Sequence, residues 1–206
     1  MTENNNDTFQ RFDFDIVKAW TPQNARILDL GCGDGSLLRA LFDSNKGTGY
    51  GIESDEDKVL ACTEAGVPVI ELNMNTGLGY FETQSFDTVI MTQSLQELKD
   101  PRHLLQEIVR VGKQAIITFP NFGFWKNRWM LLSKGRMPES DTIPHKWYST
   151  PNIHLCTCID FEILCQENNI RIIDSQVIDG KGKCNGLTRR WPNVFGELAL
   201  YHIEQG

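Results

Sequence analysis

Between Ile27 and Glu53 the chain runs through a short apolar stretch, a turn with three glycines, a leucine pattern of helical period, and a second apolar stretch ending in a carboxylate. In "ILDLGCGDG", Gly31, Gly33 and Gly35 let the backbone turn tightly and approach a ligand with no Cβ in the way. Leu37, Leu38 and Leu41 then share one helical face, and Thr48 to Glu53 returns as a strand. Two strands joined through a helix must lie parallel in one sheet, because a hairpin cannot make that connection. The order therefore specifies the first unit of an α/β fold, with a ligand crevice at the carboxyl ends of its strands. A dinucleotide fingerprint wants its third glycine at position 36, which here is Ser36. Asp29 and Asp34 also put negative charge where a pyrophosphate would sit, so the turn suits a cationic ligand instead.

The alternation continues along the chain. Arg11 to Trp20 places Phe12, Ile16, Val17 and Trp20 at helical spacing, and Thr21-Pro22 ends that helix before a strand over Ala25 to Leu30. After Glu53, Ser54 is the expected N-cap, Asp55, Glu56 and Asp57 fill the first helical turn, and Val59, Leu60 and Cys62 form the buried side. Strands are expected at Val67 to Leu72, Phe86 to Thr92 and Ala115 to Phe119. Asp100-Pro101 opens a helix with Leu104, Leu105, Ile108 and Val109 facing inward. Asp160 to Asn168 reads as a helix, and Ile170 to Ile178 and Gly196 to Ile203 as two last strands with no helix between them, hence an antiparallel, hairpin-like edge. The expected architecture is a doubly wound, mostly parallel seven-stranded sheet with an antiparallel last strand, in one domain over residues 1–206.

Charge and composition exclude several classes. With 20 basic against 27 acidic side chains the formal charge is −7, the wrong balance for a general nucleic-acid binder. Met1 to Asp7 is polar and Asn-rich, and no run of 18 apolar residues occurs, so a membrane or export role is not expected. Six cysteines scattered through core-like segments fit reduced thiols in a cytoplasmic protein.

S-adenosylmethionine (SAM) presents an ammonium group, a carboxylate and a sulfonium, with no phosphate, and so suits an acidic turn. Glu53, at the tip of the second strand, can accept from both ribose hydroxyls of such a nucleoside. The glycine turn with Asp29 and Glu53 resembles the class I SAM-dependent methyltransferases, and the fold this implies is the sheet described above. By that resemblance Asp29, Gly31, Cys32, Gly33, Gly35, Glu53 and Ser54 line the cofactor site for SAM or S-adenosylhomocysteine (SAH). Asn73, where the family often has Asp against adenine, and Met74 follow the third strand; Thr92 and Gln93 line the crevice after the fourth.

Longer phrases carry a narrower resemblance. "SLQEL", "ITFPNFGFWKNRW", "GRMP" and "WYSTPNIHLCT" are similar to the methionine biosynthesis protein MetW family, over about Arg11 to Ile178. That resemblance implies a place in methionine biosynthesis, beside a homoserine O-acyltransferase of the MetX type whose activity the protein supports. It does not by itself imply methyl transfer.

The residues bear on that choice. Many methyltransferases put an acid, a base or an Asn-Pro-Pro-aromatic group after the fourth strand, whereas Thr92-Gln93-Ser94-Leu95-Gln96 is neutral throughout. Glu97 follows, reading either as a catalytic acid or as a surface glutamate, so the catalytic residues stay unassigned. The segment from Asn121 to Ile153 carries Lys126, Arg128, Lys134, Arg136 and Lys146 against Glu139 and Asp141, a local charge of 5 − 2 = +3. It also holds Trp125, Trp129, Trp147 and Tyr148, residue types that dominate protein–protein hot spots. With Arg128 and Arg136 these form a candidate partner surface or cap, unless Trp125, Trp129 and Leu132 pack on the sheet. His154, Cys156 and Cys158 lack the Cys-x₂₋₄-Cys spacing of structural zinc, so free thiols and no metal are expected. His145 and His154 have no recognisable Ser or Asp partner for a hydrolytic triad. Three functions remain, the first two being a SAM-binding partner of the acyltransferase and a methyltransferase acting on an unknown acceptor. A scaffold without SAM is a third.

Overall fold

The computed structural model describes residues 6–206 apart from Asp141, with side chains from Asp13 onward. The side chain of Phe12, the polar start of the chain and the charge of Asp141 lie outside the described residues. Apolar residues on both faces of each central strand decide the architecture. In β1 (Arg26–Leu30) Ile27 points to one side and Leu28 and Leu30 to the other, all fully buried. Such strands need a covering layer on each face. On one side lies a core of Val17, Ile27, Leu38, Leu41, Ile90 and Ile116, covered by α1 (Asn6–Trp20), α2 (Ser36–Asn45) and α3 (Glu56–Glu64). On the other a larger core, including Leu28, Met91, Leu105, Ile117 and Phe161, lies under α4 (Pro101–Val111) and α6 (Cys158–Glu167).

The remaining strands are β2 (Thr48–Glu53), β3 (Val69–Glu71), β4 (Phe86–Thr92), β5 (Gly112–Pro120), β6 (Ile170–Ile178) and β7 (Leu198–Gln205), ordered β3-β2-β1-β4-β5-β7-β6. Pairs from β3 to β5 are parallel, while β7 runs antiparallel to both β5 and β6. The doubly wound seven-stranded sheet with its antiparallel last strand is thus as expected. Because β1, β2, β3 and β4 are parallel, their carboxyl ends and the loops that follow them gather along one edge.

Local differences have physical causes. Asp55, not Ser54, caps α3, its carboxylate accepting from the N–H groups of Asp57 and Lys58 at 3.0 and 3.2 Å. Ser54 instead donates its own N–H to Glu53 Oε1. Cys62 is the buried residue of α3, Val59 is half-buried and Leu60 is 58% exposed, since a helix on a three-residue edge strand has little sheet to cover. Helix α5 (Trp125–Lys134) follows β5. The link from β6 to β7 contains two short helices, α7 (Gly186–Arg190) and α8 (Pro192–Phe195), where none was expected. Polar caps rather than apolar periodicity define α7: Asn185 accepts from Leu187 and Thr188 N–H, and Thr188 accepts in return from Asn185 N–H.

Candidate functional site

The glycine turn is pinned to the neighbouring strand, Gly31 and Cys32 donating their N–H groups to Ile52 O at 2.8 and 3.0 Å. Gly31 has φ +73°, and a Cβ there would lie 2.7 Å from Ser94 Oγ, so the turn after β4 closes directly over it. Gly33, at φ +59°, has open space where a Cβ would stand. Next to it Glu53 gathers three backbone donors: Gly33 N–H at 3.0 Å on Oε2, and Ser54 and Asp55 N–H at 2.8 and 3.1 Å on Oε1. A carboxylate so held is a fixed acceptor at the strand tip, built before any ligand arrives. Asp29 is buried with Oδ1 lacking a hydrogen-bond partner. Burial, and then the charge of Glu53, pushes its carboxyl up from 3.8 to about 7. Gly35 sits in the left-handed region as N-cap of α2, whose first turn carries no acid. Cys32 is buried against Gly51, its Sγ 3.8 Å from that of Cys62, and burial raises its thiol far above the ordinary range.

The other expected residues surround the same edge. Met74 reaches over the turn, its methyl 3.4 Å from the place of a Gly31 Cβ. Asn73 is exposed and turns Oδ1 onto Asn75 N–H at 2.9 Å, capping a short 3₁₀ turn. Thr92 ends β4, its carbonyl accepting from Ser94 Oγ, and Gln93 follows with φ +51°. Non-glycine residues in that region cluster at functional sites. Gln93 is held there by N–H bonds to Thr118 O and Oγ1 at 2.9 and 3.2 Å. Glu97 is exposed, and partial desolvation raises its carboxyl, opposed by Lys58. One group that sequence reasoning missed lies here: Asp13 of α1, wholly buried, accepts from Thr118 Oγ1 at 3.1 Å on Oδ2 and has no partner on Oδ1. Its signal was an acid sharing the buried helical face of Val17, four residues on.

The turn after β4 also touches the aromatic segment. Gln96 Nε2 donates to Gln93 O at 2.6 Å, while Gln96 O accepts from Ile153 and His154 N–H at 2.8 and 3.0 Å. In that segment the tryptophans do not pack on the sheet: Trp129 is 63% exposed, Leu132 81% and Trp147 71%, with Trp125 also exposed. Trp147 and Tyr148 meet edge to face at 5.7 Å. Arg136 is exposed, but Arg128 braces the loop, its guanidinium donating to Gly123 O and Asn193 O. Buried Asn121 fixes the start of the segment through Gly196 O, Asn193 O and Gly123 N–H. Beyond it, Ile153, Leu155, Ile159 and Ile163 are exposed although α6 buries Phe161 and Cys165 on its inner side.

Cys158 and Cys165 are buried free thiols, Cys156 is half-buried, and Cys184 is exposed rather than in the core. Among the described residues no group of three or more His, Cys, Asp or Glu side chains is placed to hold a metal, and no helix is long and apolar enough to cross a membrane.

Residues 11–203 match the family described as methionine biosynthesis protein MetW. A bifunctional methionine biosynthesis protein MetXA/MetW of Rhodopirellula baltica is 35% identical over 165 residues, which is 76% of this chain. The chain matches only 26% of that relative's length. Among solved structures, a SAM-dependent methyltransferase of Thermotoga maritima superposes with TM-score 0.69 at 15% identity, covering 98% of this chain and 91% of its own. Magnesium protoporphyrin IX methyltransferase of Synechocystis, solved with bound SAH, gives TM-score 0.68 at 16% identity, covering 98% and 86%. At such identities the likeness is one of fold.

Proposed function

Since the chain belongs to the methionine biosynthesis protein MetW family, we propose that it is a SAM- or SAH-binding partner of a MetX-type homoserine O-acyltransferase, acting in methionine biosynthesis. The observation that carries this reading is the Rhodopirellula protein, in which a MetW-like stretch shares one polypeptide with a MetXA function. A covalent tether holds two units at an effective concentration of about millimolar. Separate chains need a surface for the same purpose, and the exposed Trp125, Trp129, Trp147 and Tyr148 supply one, with Arg136 beside them. A local charge of 5 − 2 = +3 in a chain of −7 favours an acidic face on the partner. Arg128 contributes by bracing that surface.

The crevice residues fit the nucleoside. Glu53 is fixed where it accepts the ribose hydroxyls, the space at Gly33 admits the ligand against bare backbone, and the unpartnered Asp29 Oδ1 lacks a donor that an ammonium group would provide. Met74 and Asn73 flank the adenine end, with Thr92, Gln93, Cys32, Ser54, Gly31 and Gly35 completing the walls. The bound molecule reports the level of a methionine-derived product, and its effect on association is a linkage between two sites. SAM and SAH titrated into the purified pair should change acyltransferase rate or association; no effect on either would end this reading. The fold also supports a working methyltransferase, in which labelled SAM passes label to a defined acceptor in cell extract and loses that ability in Glu53→Ala.

A further inference from the structure

Taken across the sheet, the crevice has an order: Asn73 and Met74 follow β3, Glu53 ends β2, Asp29 lies in β1, and Gln93 and Thr118 stand on the tips of β4 and β5. A nucleoside held at Glu53 and Asp29 leaves the β4–β5 end beside it. Thr92 to Gln96 contributes no titratable group there, yet α1 delivers Asp13 to that place from 105 residues away. Thr118 Oγ1 donates to Asp13 Oδ2 while accepting from Gln93 N–H, so Asp13, Thr118 and the Gln93 backbone form one chain of hydrogen bonds. Thr118 shares the sheet face of Asp29 two strands over, a lateral step of roughly 10 Å.

Two independent observations say that this carboxyl does more than brace a helix. Among the described residues its Oδ1 is fully buried and has no hydrogen-bond partner, whereas buried polar atoms with only a structural role are almost always paired. Gln93, linked to it through Thr118, is held in the left-handed region at φ +51° by its N–H bonds to Thr118. Asp29 shows the same unpaired Oδ1 at the place where the nucleoside ligand supplies a cation.

We propose that Asp13, oriented by Thr118 and Gln93, is the cation-binding group of a second subsite abutting the nucleoside, and that this subsite takes a small protonated amine. The proposal rests on the crevice binding SAM or SAH. An amine suits it better than an anion or a neutral group, because Asp29, Glu53 and Glu97 surround the crevice with further carboxylates. Burial raises the Asp13 carboxyl to about 7, against the bond of Thr118 and the neighbouring Gln93 side chain, so the charge that holds an amine develops as pH rises through neutrality. The groups facing it from β5 and from the turn after β4 are these two neutral side chains. On its own helix Asp15 is exposed and Lys18 half-buried, and Arg39 and Asp43 of α2 pair with each other at the surface.

The test uses the full chain and two probes: SAH, and sinefungin, its analogue with an amine-bearing carbon in place of sulfur. Calorimetry should show sinefungin preferred over SAH by about tenfold near pH 8, the ratio falling several-fold towards pH 6. Asp29 titrates in the same range, but both probes carry the groups that face it, so its effect cancels in the ratio. In Asp13→Asn the preference should drop at least about fivefold while SAH affinity stays within about twofold. A preference unchanged in Asp13→Asn, or a wild-type ratio flat with pH, overturns the proposal. The wild-type pH series decides alone if the variant does not fold. If neither probe binds, the nucleoside reading falls and takes the subsite with it; if both bind equally, only the subsite falls.

Discussion

Asp29→Asn should stabilise the ligand-free protein and weaken its ligand, and the buried carboxyl sets the size of both effects. Burial, followed by the charge of Glu53, raises Asp29 from 3.8 to about 7 in the folded chain. A folded-state value above the unfolded one means that stability is fully present below 3.8 and is lost as pH rises towards 7, where the native state must give up a proton it prefers to keep. At about 1.4 kcal/mol per pH unit the loss across that interval is at most about 4 kcal/mol. Relaxation and water penetration around the site bring it to about 2 kcal/mol. An amide of the same shape carries no charge to desolvate, so the variant recovers that amount at pH 8 and under half of it at pH 5. For a chain of this size the gain is a melting temperature higher by about 4 to 8 °C at pH 8. Thermal unfolding of both proteins at the two pH values reads it. Equal shifts at both, or a variant less stable at pH 8, would refute the reasoning. SAH affinity should fall about tenfold, since an amide cannot pair an ammonium as a carboxylate does.

Glu53→Gln keeps an acceptor for Ser54 and Asp55 N–H but sets an NH₂ against Gly33 N–H or the ribose, so SAH affinity should drop about tenfold to hundredfold by calorimetry, and an unchanged affinity would remove Glu53 as the ribose anchor. Gly31→Ala forces a Cβ into the left-handed region at φ +73°, 2.7 Å from Ser94 Oγ. Denaturant unfolding should show a loss of about 1 to 2 kcal/mol, and wild-type stability would show that the turn can move aside. Trp129→Ala, at a site 63% exposed, should change stability by less than about 0.5 kcal/mol yet weaken association with the acyltransferase at least about tenfold. Undiminished association would take Trp129 out of the docking surface.

What the sequence disclosed depended on how far apart the cooperating residues lie. The glycine turn and Glu53 are 18 residues apart at their nearest, Gly35 to Glu53, within one strand–helix–strand unit whose apolar periods announce each part. Asp13 was hidden because its partner Thr118 is 105 residues away and only the folding of α1 onto β5 unites them. Ser94 is hidden likewise, since nothing local says that it lies over Gly31. Helix α7 escaped because five residues with polar caps at Asn185 and Thr188 make no apolar period. The tryptophans posed a different difficulty: positions 125, 129 and 132 have the same spacing whether a stripe faces a core or a partner. Only the packing of α5, which leaves all three exposed, separates these cases.

Linkage between the crevice and a partner surface requires an element that both can move, and the turn after β4 meets that description. Gln93 lies in the crevice wall, held in the left-handed region; its carbonyl holds Gln96 Nε2, and the carbonyl of Gln96 holds Ile153 and His154 at the far end of the aromatic segment. Displacement of Gln93 therefore strains two backbone bonds that fix the chain just beyond Trp147 and Tyr148. The shift that a ligand can impose is limited to its difference in affinity for the two positions of that turn. Reciprocity is the stringent consequence. The factor by which SAH changes partner affinity must equal the factor by which the partner changes SAH affinity. Equal factors are compatible with this turn as the shared element, and their loss in Gln96→Leu, with both bindings retained, is the result that would assign the coupling to it.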